Sequence, residues 1–220
     1  MLIEKLISPV IPVLSLTDTG SQALQMMEDN GLDALPLVSD EKYMALVREN
    51  DLLDWDEPGS PLILANFLTY KPAIFAKGHP YEALRVAHVQ NLSIVPVVDN
   101  DNNYLGAIKS EGLSGFMVEN GGIQLAGAIM VVEIAPRDYS LYEIARICEN
   151  EDVGITNTQL RTIPETGMLE LTIKTNRSDL QGVVAAMERH NYKVKEVYGE
   201  TAQDENVQDR FNLLMTYINM

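Results

Sequence analysis

The sequence predicts an α+β chain in two parts. Two pseudo-symmetric β-α-β-β-α units packed as a pair come first. A βαββαβ unit and a C-terminal amphipathic helix follow. Three observations carry this: an internal repeat in the first half, a Gly-Gly break after it, and helical spacing of apolar residues at the end.

The repeat relates Pro12 to Pro72, Ala23 to Ala83, Leu24 to Leu84 and Pro36 to Pro96, each pair 60 residues apart. One extra residue near Asp101 then moves the offset to 61, pairing Tyr43 with Tyr104 and Leu52 with Leu113. An internal repeat is the first thing to read, because it decides the whole fold. In the first copy, Thr19 and Gln22 form a capping box. In the second, Pro80 suits the first helical position and Glu82 the positive first turn. Ala23, Met26 and Met27, and likewise Ala83, Val86 and Ala87, fall on one helix face. Gly31 and Asn91 are matching helix stops. Each copy continues with an apolar strand around a proline (Leu35 to Val38; Val95 to Val98) and a polar turn (Ser39 to Lys42; Asp99 to Asn103). A second strand (Tyr43 to Val47; Tyr104 to Ile108) and a short helix near Glu49 or Glu111 complete it. One copy has too little core to stand alone, so the two are expected to pack together.

Gly121-Gly122 marks the break. Beyond it, Ala128 to Ile134 reads as a strand. Ser140 and Glu143 read as a capping box opening a helix, with Leu141, Ile144, Ala145 and Cys148 on one face. Val153 to Ile163 and Met168 to Thr175 are strands around a Glu165-Thr166-Gly167 turn. Ser178 and Gln181 open a helix with Leu180, Val183, Val184 and Met187, and Lys193 to Tyr198 is the last strand. This order is the split β-α-β, ferredoxin-like one. In the tail, Phe211, Leu214, Met215 and Ile218 share a helical face, suited either to self-packing or to a dimer contact.

The first half resembles a tandem pair of CBS motifs, a Bateman module, over residues 1–120, with repeats at about 8–56 and 66–118. Residues 127–199 resemble an ACT domain, Val153-Gly154-Ile155 leading into a strand being typical of that family. Residues 200–220 are expected to form the tail helix. CBS-ACT regulators of the acetoin-utilisation type share this arrangement. The resemblance implies a non-enzymatic regulatory module acting as a homodimer.

Composition agrees with a globular chain: 220 residues, 46% hydrophobic and 22% charged. With 32 acidic against 16 basic residues the net charge is −16. That field repels nucleic-acid phosphates and anionic membranes. No apolar run approaches the ~20 residues of a membrane helix. A single cysteine excludes an internal disulfide, nothing at the start reads as a signal peptide, and a cytoplasmic location is expected.

Catalytic motifs are missing: no phosphate loop ending in Lys-Ser/Thr, no His-Glu-x-x-His, no Cys-x-x-Cys. Gly112-Leu113-Ser114-Gly115 lacks the spacing of a nucleophile elbow. His79, His88 and His190 are scattered, His79 at a helix start, and Cys148 lies on an apolar helix face. Asp99, Asp101 and Asn103 match three calcium-loop positions, but Tyr104 and Ser110 stand where Gly and Glu belong, which reads as a hairpin turn. No metal site is expected. The triplets Asn91-Leu92-Ser93 and Asn176-Arg177-Ser178 match glycosylation signals in the wrong compartment.

The CBS resemblance implies a nucleotide cleft. Its members place a Thr or Ser three residues before an Asp that accepts both ribose hydroxyls, with adenine against backbone beside the apolar-Pro strand. Here the first cleft has Asp51 with Arg48 at the Thr position, beside Leu35, Pro36 and Leu37. The second, weaker cleft has Lys109 and Gly112 at those positions, beside Val95 and Pro96. Arg48 and Lys109 are cations suited to a phosphate. Alternatively they are solvated charges and Asp51 a helix cap. AMP, ATP or S-adenosylmethionine is the expected ligand class. The competing reading is a constitutive scaffold with vestigial clefts. ACT members that bind amino acids have a Gly in the first strand-helix turn. This turn has none, and Arg137 and Asp138 are its candidates, either for a ligand carboxylate or as exposed loop charges.

Overall fold

The computed structural model describes residues 3–199, so the expected tail helix lies outside the described residues. The chain divides between Met117 and Val118 into two compact units.

In the first unit, α1 spans Gly20–Asn30 and carries the full Thr19–Gln22 capping box. Gly31 ends it in the left-handed conformation, φ 60°. Strands β1 (Ala34–Ser39) and β2 (Lys42–Arg48) form an antiparallel hairpin, and α2 (Glu49–Leu53) follows. The second copy supplies β3 (Ile74–Phe75), α3 (Pro80–Gln90), β4 (Ile94–Val98), β5 (Tyr104–Lys109) and α4 (Ser110–Asn120). α3 starts on His79, whose side chain accepts the Tyr81 N–H, and stops at left-handed Asn91, φ 50°.

The registers repeat along with the elements. Leu35 pairs with Val47 and Pro36 with Leu46; Val95 pairs with Ile108 and Pro96 with Ala107. Both hairpins carry an irregularity at equivalent places, Leu37/Val38 and Val97/Val98. Leu14 bridges Leu37 in parallel as Ile74 pairs with Val97. Pro36 and Pro96 thus hold equivalent positions, as the 60-residue offset predicts.

The two copies meet around an internal dyad. Tyr43 N–H donates to the Asn102 carbonyl (3.1 Å) and Tyr104 N–H to the Glu41 carbonyl (2.8 Å). The Tyr43 and Tyr104 rings stack with centroids 6.3 Å apart. Ser93 hydrogen-bonds Asp33, its own equivalent. Such self-matching contacts are those of an isologous interface. They also explain an unusual turn. Asp40 and Glu41 both have positive φ, 49° and 64°. A two-residue hairpin requires this and normally selects Asn or Gly. Here the Glu41 carbonyl is used across the dyad.

The tyrosines differ in one respect. Tyr43 Oη donates to the Pro72 carbonyl (2.9 Å), while the buried Tyr104 Oη has no partner among the described residues. Tyr43→Phe should therefore cost about 1 kcal/mol, and Tyr104→Phe should be neutral or slightly stabilising. Urea melts of both variants check this; equal losses would contradict it.

The second unit contains β6 (Ile129–Ile134), α5 (Leu141–Asn150), β7 (Ile155–Thr162), β8 (Leu169–Thr175), α6 (Gln181–Arg189) and β9 (Lys193–Tyr198). Its antiparallel sheet runs β7-β8-β6-β9. Met130, Val132, Ile134, Leu171 and Ile173 pack with Ile144, Ile147, Cys148, Val183 and Met187 in one core. Two caps differ from expectation. Ser140 accepts the Glu143 N–H (3.3 Å), but the Glu143 carboxylate turns to Arg146 (2.6 Å), so the reciprocal half of the box is unmade. At α6, Asp179 rather than Ser178 accepts the Gln181 N–H (3.0 Å). Among the described residues, no helix is long and apolar enough to cross a membrane.

Candidate functional site

The β2–α2 junction places Arg48 on the last residue of a strand and Asp51 in the first turn of a helix. Their spacing lets the side chains meet. Arg48 Nε donates to Asp51 Oδ2 (3.0 Å) and Nη2 to Oδ1 (2.8 Å), a fork engaging both carboxylate oxygens. The Asp51 side chain is 16% exposed and that of Arg48 49%. The guanidinium also lies over the Tyr70 ring, 4.7 Å from its centroid. The hydrogen bond to Asp51 holds the Arg48 pKa above its usual value, against the opposing effect of burial. Tyr70 Oη in turn hydrogen-bonds Gln90 Oε1 (2.8 Å).

Arg48 lines a cavity of about 340 Å³ between the copies, with Glu49 and Asn50 of the first and Gln90, Asn91 and Ser93 of the second. The lining is dense in hydrogen-bonding groups, with few apolar side chains, and therefore suits a polar ligand.

The other expected residues fall outside it. Leu35 and Leu37 are fully buried in the core around Leu14, Met27 and Leu52, and Val95 in the neighbouring core. They can offer a ligand backbone but no side chain. Pro36 is buried as well, and its carbonyl already accepts the Leu14 N–H (2.8 Å). Pro96 is buried in the centre of β4. Lys109 pairs with Ile94 at the strand end. Gly112 faces open space, with nothing within 4 Å of where a Cβ would stand. Arg137 and Asp138 sit in a single 3₁₀ turn and face each other at 3.6 Å, with side chains 87% and 62% exposed. Such exposed pairs contribute little. The Asp99 carboxylate accepts the N–H groups of Asp101 and Asn103 (both 2.8 Å), which makes it a hairpin turn. Lys42 Nζ supplies the cation there, reaching the Asp101 carbonyl and Asn103 Oδ1 (both 2.7 Å). Cys148 is buried, and burial pushes its thiol up to about 11, which keeps it protonated at neutral pH.

Sequence reasoning missed a charge ladder in the second unit. Glu133 and Glu170 face each other directly across β6 and β8, a repulsive pairing by itself. Lys195 from β9 reaches Glu170 (3.0 Å) and Glu133 (3.9 Å), Lys193 reaches Glu133 (2.7 Å), and Arg161 pairs with Glu170. Lys195 first and then Arg161 hold the Glu170 carboxyl below its usual range. Only the alternation of strand residues hinted at it.

The CBS-domain family profile matches residues 3–57, so a CBS domain is present in the first copy. Similar solved structures include a CBS domain pair/ACT domain protein from Thermotoga maritima, with 19% identity and TM-score 0.48 over 54% of this chain and 98% of that one. The CBS domains of a transcriptional regulator from Streptococcus pneumoniae share 18% identity at TM-score 0.46, over 52% of this chain and 98% of that one. CBSX2 in complex with AMP shares 18% identity at TM-score 0.47, over 54% and 96% respectively.

Proposed function

We propose that this chain is a regulatory module in which a tandem CBS pair, residues 1–120, binds an adenine nucleotide between its repeats. An ACT-type domain, residues 127–199, completes it, and it acts as a cytoplasmic homodimer. The ligand would shift domain or dimer geometry by favouring one arrangement. One observation carries the reading: within the matched CBS domain, a largely covered carboxylate, Asp51, is held by Arg48, and Arg48 lines a polar cavity between the repeats. A vicinal diol donates two O–H groups, which is what a carboxylate can accept.

A second reading, a constitutive scaffold with vestigial clefts, also has support. Arg48 already engages both Asp51 oxygens, and Gly112 offers no side chain.

Thermal shift with AMP, ATP and S-adenosylmethionine separates the two, since a ligand for the native state raises the melting temperature by mass action. In calorimetry, Asp51→Ala should weaken the best ligand by roughly tenfold, about 1.4 kcal/mol. Unchanged affinity would remove Asp51 from the site. Absence of any shift or heat favours the scaffold.

A further inference from the structure

The Arg48–Asp51 fork raises a question of its own, which rests on the nucleotide reading above. A guanidinium fork and a ribose diol make the same demand on a carboxylate: one donor to each oxygen. Here Nε and Nη2 hold Oδ2 and Oδ1 at 3.0 and 2.8 Å. Asp51 is mostly covered, and Arg48, half exposed, is the one of the two that lines the cavity. A diol meeting Asp51 through the same valences has to displace that fork.

We propose that Arg48 and Asp51 are an exchangeable pair, so that the cleft selects a nucleoside phosphate over the nucleoside. With a nucleoside phosphate, the diol takes the carboxylate and the released guanidinium takes the phosphate. Both charges keep a partner. With the nucleoside alone, Asp51 is satisfied while Arg48 loses its charge-assisted bonds and keeps only the Tyr70 ring. Arg48 is half exposed, lines the inter-repeat cavity, and pivots from the end of β2, whose backbone is paired to Ala34. The Tyr70 ring, itself tied to Gln90, gives the guanidinium a face to slide across. Arg48 is thus a specificity residue that guards Asp51 when the cleft is empty. The neighbouring Asp33 and Glu49 add negative charge to the same cavity, which opposes additional phosphates.

Calorimetry of the full chain with AMP and with adenosine tests this, using wild type, Arg48→Met and Arg48→Lys. Wild type should prefer AMP by about tenfold or more, the scale of one charge-assisted contact. Arg48→Met should bring the two ligands within about threefold of each other, with adenosine bound at least as tightly as by wild type. Arg48→Lys keeps the charge without the fork, so it should retain AMP preference and also gain affinity for adenosine. Two results overturn the exchange while leaving the nucleotide site standing: an unchanged AMP-to-adenosine ratio in Arg48→Met, or a loss of adenosine affinity in both variants. Failure of AMP and adenosine to bind wild type overturns the nucleotide reading and the exchange together.

Discussion

Gly127→Ala should destabilise the second unit by about 3 kcal/mol or more, the range expected when a steric clash adds to backbone strain. Gly127 has φ 134°, outside what side chains tolerate, and a Cβ there would stand 1.9 Å from the Thr175 carbonyl oxygen. No rotamer relieves this, because the opposing atom is backbone. The position is also tied on both sides. The Ala128 N–H donates to Arg177 (2.8 Å), the Thr175 N–H donates back to Ala128 (2.9 Å), and Lys174 Nζ reaches the Gly127 carbonyl (2.9 Å). Moving the backbone aside breaks the start of the β6–β8 ladder. Far-UV circular dichroism in urea is the appropriate readout, since the only tryptophan, Trp55, lies in the first unit. A loss below about 1 kcal/mol would show that the strand start can relax.

For the first unit the largest expected effect comes from Leu37→Ala, at about 2–5 kcal/mol, while Leu37→Met should cost less than about 1.5. Leu37 is wholly buried among Leu14, Met27, Leu35, Ala45, Val47, Leu52 and Leu62. Truncation leaves a cavity that the pairing of β1 to β2 on one side and to Leu14 on the other prevents from collapsing. Trp55 packs against the same cluster, so its fluorescence reports this transition directly. A cost under 1 kcal/mol would place Leu37 outside the core and return it to the list of residues able to meet a ligand with a side chain.

Leu37 also shows which features the chain made legible and which it did not. The repeat could be read because equivalent residues answer the same local demands. Gly31 and Asn91 both end helices in the left-handed region, and Pro36 and Pro96 sit at the same place in matching hairpins. Capping could be read at Thr19, where cap and partner are three residues apart and have no rival. It misled at Ser140, because Arg146 one turn along attracts the same Glu143 carboxylate. The candidate site was half legible. The spacing of Arg48 and Asp51 was visible, but their mutual fork depends on the bend between β2 and α2. Gln90, Asn91 and Ser93 enter the cavity from 40 residues or more downstream, so only the paired fold brings them there. The Glu133–Glu170 pairing was invisible for a similar reason: it depends on the register of β6 against β8, and alternation alone does not fix a register between distant strands.

The two hydrogen bonds across the internal dyad have a mechanical consequence. Tyr43 reaches Asn102 and Tyr104 reaches Glu41, each from one hairpin to the turn of the other. Their stacked rings lie between. A clasp made of two equivalent hooks facing opposite ways is not opened from one side alone. Any rotation of one repeat against the other loads both hooks together.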